Sequence, residues 1–347
     1  MNKKVLLGMS GGVDSSVSAV LLKECGYDVT GVTLNLFPCT SCCSYIDVKS
    51  LCRKIGVEHY ILDGKDDFKK YVIDDFIQSY DNCLTPNPCI ECNKYMKFGY
   101  MYKKAKELGC DYVATGHYAK VEYDEKYGKY VLRKSHAGRK DQSYVLWNIP
   151  KDMLEHVIFP LANFESKEKI REIAREHELP VANKPDSEDI CFIPDGDYKK
   201  FLEENSHIKP KPGNIILANG TVVGKHTGLY HYTIGQRKGL GISYKVPLFV
   251  IGFNKKNNEL IVGEEHELYK KEVTIKDINL LLVDDIYKPL RVSVKTRYSS
   301  KEADATATQI DNNTIKIVFD EPQARITPGQ SAVMYIDDIV VGGGKII

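Results

Sequence analysis

The sequence predicts an α/β domain built on an open parallel sheet, then a small central β-rich domain, then a C-terminal β-barrel. Three observations predict it. Through roughly the first 200 residues, short apolar runs alternate with helically spaced segments, the pattern of βαβ units. After about residue 205 the helical spacing fades and Gly and Pro become frequent, as in KPGN (Lys211–Asn214), ANG (Ala218–Gly220) and GQRKGLG (Gly235–Gly241). From Glu272 onward come short alternating runs such as RVSVKTRY (Arg291–Tyr298), TIKIVF and SAVMYI (Ser331–Ile336), the pattern of a small barrel. The divisions fall at 1–204, 205–268 and 269–347.

Each element has its own signal. KVLLG (Lys4–Gly8) is a buried-strand run, and Asp14–Cys25 has helical spacing with Gly26 as its stop. Val29–Leu36 is the second strand, Tyr45–Ile55 a helix closed by Gly56, and His59–Leu62 a third strand. Phe68–Ser79 and Lys94–Leu108 read as helices, with Gly109 closing the second, and Tyr112–Thr115 as a strand. DNCLTPNPCIEC (Asp81–Cys92), with its prolines, asparagines and three cysteines, reads as a loop. Loops at the carboxyl ends of strands are where open α/β sheets bind ligands.

Composition narrows the chemistry. The net charge of +1, from 48 basic and 47 acidic side chains, gives no global reason to bind nucleic acid, so any such site is a local patch. No run of about 18 apolar residues occurs, and glycines interrupt the apolar stretch of MNKKVLLGMSGG, so the chain is expected in the cytoplasm and not in a membrane. All ten cysteines precede residue 192, which points to a reducing compartment and to thiol or metal chemistry in the N-terminal part.

GMSGGVDSS (Gly8–Ser16) follows the first strand and opens the first helix. Its glycines admit a phosphate to the backbone, and the helix N-terminus offers N–H donors and a positive dipole end. The lysine of a Walker A loop is absent. Asp14 either helps hold Mg²⁺ on the phosphates or caps the helix. The segment resembles the pyrophosphate loop of the N-type ATP pyrophosphatases, which adenylate an acceptor oxygen and release pyrophosphate. That resemblance implies the adenine nucleotide hydrolase-like fold and ATP binding by Gly8, Met9, Ser10, Gly11, Gly12, Val13, Asp14 and Ser15.

Further segments narrow the family. TPNPCIECNKYMKFG (Thr85–Gly99), ATGHYA (Ala114–Ala119), KDQSYVLW (Lys140–Trp147), DICFIPDGDY (Asp189–Tyr198), GLYHYTIGQRKGLGI (Gly228–Ile242) and TPGQSAV (Thr327–Val333) occur in that order. Together they are similar to the tRNA-specific 2-thiouridylases across essentially the whole chain. The resemblance implies ATP-dependent adenylation of the C2 oxygen of a wobble uridine, then sulfur transfer to C2, with lysine, glutamate and glutamine tRNAs as substrates. It implies a cysteine desulfurase or sulfur-relay protein as donor. It makes Cys92 the nucleophile and Cys191 the persulfide carrier, and places Leu34 against adenine and Gly116 close to the nucleotide. It gives tRNA contacts to Asn87, Pro88, Cys89, His117, Lys140, Asp141, Gln142, Arg297, Tyr298 and Gln330.

Cys89 departs from the pattern, since many members carry Asp there. It forms CxxC with Cys92, and Cys89, Cys92 and Cys191 are also a ligand set for a [4Fe–4S] cluster delivering sulfide, so that alternative to the persulfide stays open. CTSCC (Cys39–Cys43) reads as structural or exposed thiols before zinc. Two rivals stand beside this reading. One is a small-molecule pyrophosphatase such as an amidotransferase, for which no glutaminase pattern exists. The other is a non-enzymatic tRNA-binding or sulfur-carrier protein, against which the intact SGGVDSS argues.

Overall fold

The computed structural model describes residues 2–37, 45–185 and 190–347. The CTSCC segment therefore lies outside the described residues. The chain order is β1 (Lys4–Gly8), helix Val13–Glu24, β2 (Asp28–Asn35), helix Tyr45–Ile55 and β3 (Glu58–Asp63). A long helical stretch over 65–81 and another over 88–107 lead to β4 (Tyr112–Ala114). β5 (Ala119–Asp124) and β6 (Lys129–Lys134) form a hairpin, and β7 (Val157–Ile158) is a two-residue strand. Four strands follow, β8 (Gly213–Leu217), β9 (Val222–His226), β10 (Phe249–Asn254) and β11 (Glu259–Gly263). The last six are β12 (Tyr269–Leu280), β13 (Leu290–Lys295), β14 (Ala303–Asp311), β15 (Thr314–Ala324), β16 (Ser331–Ile336) and β17 (Ile339–Ile346).

The first sheet is parallel, in the order β3-β2-β1-β4-β7. The order turns back at β1, so β2 and β4 flank it and its carboxyl end is the switch point where open α/β sheets bind ligands. Alternation along β1 assigns its two faces. Val5 and Leu7 pack with Ala19, Leu22, Val48 and Cys52 of the first two helices. Leu6 packs the other way, with Ile90, Phe98, Met101 and Ala105 of the 88–107 helix. The helix that the pyrophosphate segment opens and the one that carries Cys92 thus lie on opposite faces of the sheet.

The central domain is a four-stranded sheet, β10-β11-β8-β9, around Ile215, Val250, Leu260 and Val262. The last domain is a closed antiparallel barrel, β12-β15-β14-β13-β16-β17, with β17 pairing back to β12. Ala332 and Met334 of β16 point into its core with Ile275, Ile317 and Phe319. Val333 and Tyr335 point outward and share a core with Trp147, Tyr144 and Phe98 of the first domain. A Cβ on Gly343 would meet the Trp147 ring at 2.9 Å, so the glycine is what lets the indole lie on the barrel wall. The β5–β6 hairpin extends this sheet through β17.

Candidate functional site

The pyrophosphate loop leaves β1 with Met9 N–H donating to Val32 O at 2.7 Å. Gly11 sits at φ +73°, where a Cβ would be strained and would meet Val48 Cγ2 at 2.8 Å. The helix N-cap is Gly12 and receives no side-chain cap. Ser15 and Ser16 hydroxyls donate to Gly12 O at 3.2 and 2.7 Å, which shapes the turn. Asp14 does not cap the helix. Its Oδ1 accepts from Tyr118 Oη at 2.7 Å and its Oδ2 pairs with Lys167 at 2.7 Å. Lys184 reaches the same loop, donating to Gly11 O at 3.1 Å. Two lysines from outside the loop thus supply cations that the loop itself lacks, and nothing in their spacing from SGGVDSS singles them out. A Cβ on Gly116 would lie 3.0 Å from both Asp14 C and Ser15 N, so this glycine lets the β4 exit rest on the loop backbone. Leu34, half-buried on β2, packs between the cores under the first and second helical stretches.

The thiol site grows from a helix start that reads as loop in the sequence. The helical stretch over 65–81 extends through Asp81, and only 82–87 is irregular. Asn87 then caps a new helix, its Oδ1 accepting from Cys89 N–H at 3.2 Å, with Pro88 in the first turn. Cys92, 8% exposed, opens a nine-residue π-helical segment, Cys92–Tyr100. Cys89 is exposed on the preceding turn. Cys191 is exposed on a separate segment, whose neighbours Ile190, Phe192 and Ile193 are fixed in a cluster with Phe68, Phe76 and Phe201. The three sulfurs are near enough that the charges of Cys92 and Cys89 both act on Cys191. Burial pushes the Cys92 thiol up to about 11. Although Cys191 is exposed, protein packed around it, and then the two sulfurs, push it up to about 12. Lys97 opposes the rise at all three thiols. Among the described residues, no three His, Cys, Asp or Glu side chains are grouped closely enough to hold a metal ion.

The residues expected to meet RNA fall into two sets. His117 is buried between Thr115, Phe98 and Phe159. Asp141 is buried, and its carboxylate accepts from Ser135 N–H at 2.8 Å and Ser143 Oγ–H at 2.6 Å. Gln142 Oε1 accepts from Tyr118 N–H at 2.9 Å. Arg297 donates to Ile234 O of the central domain and to Thr327 Oγ1. Gln330 donates to Thr85 O at 2.8 Å. These five turn their polar atoms toward protein. Lys140 and Tyr298 are exposed, and Lys295 lies 5.7 Å from the Tyr298 ring centre. Asn87, Pro88 and Cys89 line the cap above Cys92.

The whole chain is matched by family models in three consecutive pieces. These are the tRNA methyl transferase HUP domain over 3–195, its PRC-barrel domain over 199–264, and an aminomethyltransferase β-barrel domain over 270–346. A tRNA-specific 2-thiouridylase MnmA of Clostridioides difficile is 50% identical over all of this chain and 98% of its own length. One from Acetivibrio thermocellus is 47% identical over 99% of both. The chain belongs to the tRNA-specific 2-thiouridylase family. The models' descriptions speak of methyl transfer, while the relatives aligned along their full length are named for thiolation. A 4-thiouridine synthetase in a solved RNA complex with bound ATP is 22% identical, covering 58% of this chain and 50% of that one, with a TM-score of 0.37. Among the described residues of this family member, no helix is long and apolar enough to cross a membrane.

Proposed function

We propose that this chain is an ATP-dependent tRNA 2-thiouridylase acting on the wobble uridine. The observation that carries the reading is that the helix bearing Cys92 is tied through Lys97 and His117 to the β4 exit, which rests on the backbone of the pyrophosphate loop, while Cys89 and Cys191 are near enough to act on the same thiol environment. In the first half-reaction the uridine O2 attacks the α-phosphorus of ATP. Pyrophosphate leaves, the N3 proton goes to solvent, and C2 carries AMP as a leaving group. The N–H groups at the start of helix Val13–Glu24, with Lys167 and Lys184, bind the phosphates. Mg²⁺ enters with the ATP. Asp14 is the loop's carboxylate, and both its oxygens are already engaged, so the phosphates hold the ion chiefly.

In the second half-reaction the terminal sulfur of a Cys191 persulfide attacks C2 and expels AMP. The Cys92 thiolate then attacks the Cys191 sulfur, breaking the S–S bond and freeing the thiocarbonyl as N3 takes a proton back from solvent. The sulfane sulfur gains two electrons, and Cys92 and Cys191 lose them as a disulfide. A cellular dithiol resets the pair, and a cysteine desulfurase or relay protein reloads the persulfide. The target base must leave the anticodon stack, and the 87–89 cap is where it is received.

The direct test incubates the protein with unmodified lysine tRNA, ATP, Mg²⁺ and a sulfur source, and looks for 2-thiouridine by mass spectrometry. Wild type forms it, while Cys92→Ser and Cys191→Ser release pyrophosphate without forming it. Cys89→Ser retains most activity with a desulfurase. Loss of its activity together with protein-bound iron would replace the persulfide by a cluster. ATP cleavage with no thiouridine from any sulfur source returns the chain to small-molecule pyrophosphatases.

A further inference from the structure

The chemistry above passes negative charge between a Cys191 persulfide and the buried Cys92, where an uncompensated anion is costly. The only lysine acting on all three thiols among the described residues is Lys97. Two independent features place it there. The first is the winding of its helix. Lys97 is five residues beyond Cys92 on the π-helical segment Cys92–Tyr100. Closure between residues five apart stacks them on one face, whereas five α-helical steps of about 100° would carry Lys97 about 140° around the axis. The second is a tether. Lys97 Nζ lies 3.3 Å from His117 Nε2, and His117 Nδ1 lies 2.7 Å from Thr115 Oγ1 at the end of β4.

The tether has a defined polarity. An ammonium group only donates, so Nε2 is the acceptor and Nδ1 carries the proton that Thr115 receives. Burial, and secondarily Lys97 itself, hold the imidazole well below its ordinary range, so it stays neutral and the pair carries one positive charge. Thr115, Phe98 and Phe159 fix the ring, and the ring fixes the ammonium.

We propose that Lys97 is a catalytic residue of the sulfur-transfer half-reaction, its ammonium group stabilising the anionic sulfur as it passes between Cys191, C2 and Cys92, and that His117 is its positioning residue. This rests on the 2-thiouridylase reading. The titratable groups facing Lys97 are Cys89 and Cys92 on its own helical stretch, His117 after β4, and Cys191 on the 190–193 segment.

The experiment separates the two half-reactions in full-length protein. Pyrophosphate release with unmodified lysine tRNA and 2-thiouridine formation from a desulfurase-supplied persulfide are followed in parallel. Lys97→Met is expected to lower thiouridine formation by about 100-fold, the scale of removing one preorganised charge-stabilising donor. First-turnover pyrophosphate release stays within about threefold. Lys97→Arg keeps the charge and restores part of the rate. His117→Phe lowers the thiouridine rate about tenfold with little change in the tRNA KM, and moves its pH profile upward as the cation loosens. Equal loss of both half-reactions in Lys97→Met, with no rescue by Lys97→Arg, would overturn the assignment, as would unimpaired sulfur transfer. Should Lys97→Met fail to fold, Lys97→Gln against Lys97→Arg makes the same comparison. Failure of wild type to form thiouridine from any sulfur source would sink the parent reading instead.

Discussion

At the scale of single residues, the site keeps its thiols protonated at rest. Burial raises Cys92 to about 11, so at pH 7.5 on the order of one molecule in 3,000 carries its thiolate, against about one in ten for an ordinary cysteine. Iodoacetamide alkylation of Cys92, read by peptide mass spectrometry, is therefore expected to rise about tenfold per pH unit from pH 7 to 10. A plateau near pH 8 would show a thiolate already formed at rest. The same shift has a stability consequence. The folded pKa lies above the unfolded value of about 8.5, so the unfolded chain releases this proton first as pH rises. The contribution of Cys92 is intact below about pH 8.5 and is lost progressively toward pH 11. Urea midpoints at pH 8 and pH 10 measure this, and Cys92→Ala removes that part of the difference.

At the scale of elements, legibility follows how local each signal is. β1 is found at its full predicted extent, and Gly26, Gly56 and Gly109 all stand just past helix ends with positive φ. The thiol-bearing helix begins earlier than periodicity indicates, because its first turn is specified by a cap and not by apolar spacing. Asn-Pro followed by a helical run is an N-terminus signal as well as a turn signal, and in TPNPCIEC both readings apply, to 82–87 and to 88 onward. The π-winding of Cys92–Tyr100 has no sequence signature at this level. If the Asn87 cap sets the position of Cys89 and Cys92, Asn87→Ala should cost about 1 kcal/mol in chemical denaturation and reduce thiouridine formation. Asn87→Asp, which caps as well, should recover the stability. Recovery of stability without activity would assign the Asn87 amide to the base instead.

At the scale of the molecule, the barrel and the first domain share one core, which pattern reading does not reveal. SAVMYI is apolar on both faces because β16 is buried on both, with Met334 inside the barrel and Tyr335 against Ser143 and the Trp147 core. The β5–β6 hairpin is likewise held by residues 205 and 168 positions away in the chain, through Arg133 to Asp338 and Lys134 to Glu302. Lys345 of β17 pairs with Asp75 and with buried Glu91, one residue before Cys92. Thr85 N–H donates to Pro328 O, and Gln330 holds Thr85 O, so the barrel fastens the loop that leads into the thiol helix.

This architecture separates two roles that the family resemblance groups as tRNA contacts. Lys140 is exposed, so if it meets a phosphate, Lys140→Ala should flatten the salt dependence of tRNA binding by about 0.7–0.9 in the slope of log K against log salt. Gln330 is turned toward the 82–87 loop, so Gln330→Ala should leave that slope unchanged. It should instead speed hydrogen exchange at the Thr85 amide and lower the thiouridine rate at saturating tRNA. The contrast follows from what each side chain faces. An exposed charge that meets RNA releases counterions, whereas an amide already bonded to two carbonyls of the 82–87 loop has none to release and acts only by holding that loop in place. A reduced slope in Gln330→Ala would mean that the barrel loop leaves the 82–87 loop and turns to the RNA on binding.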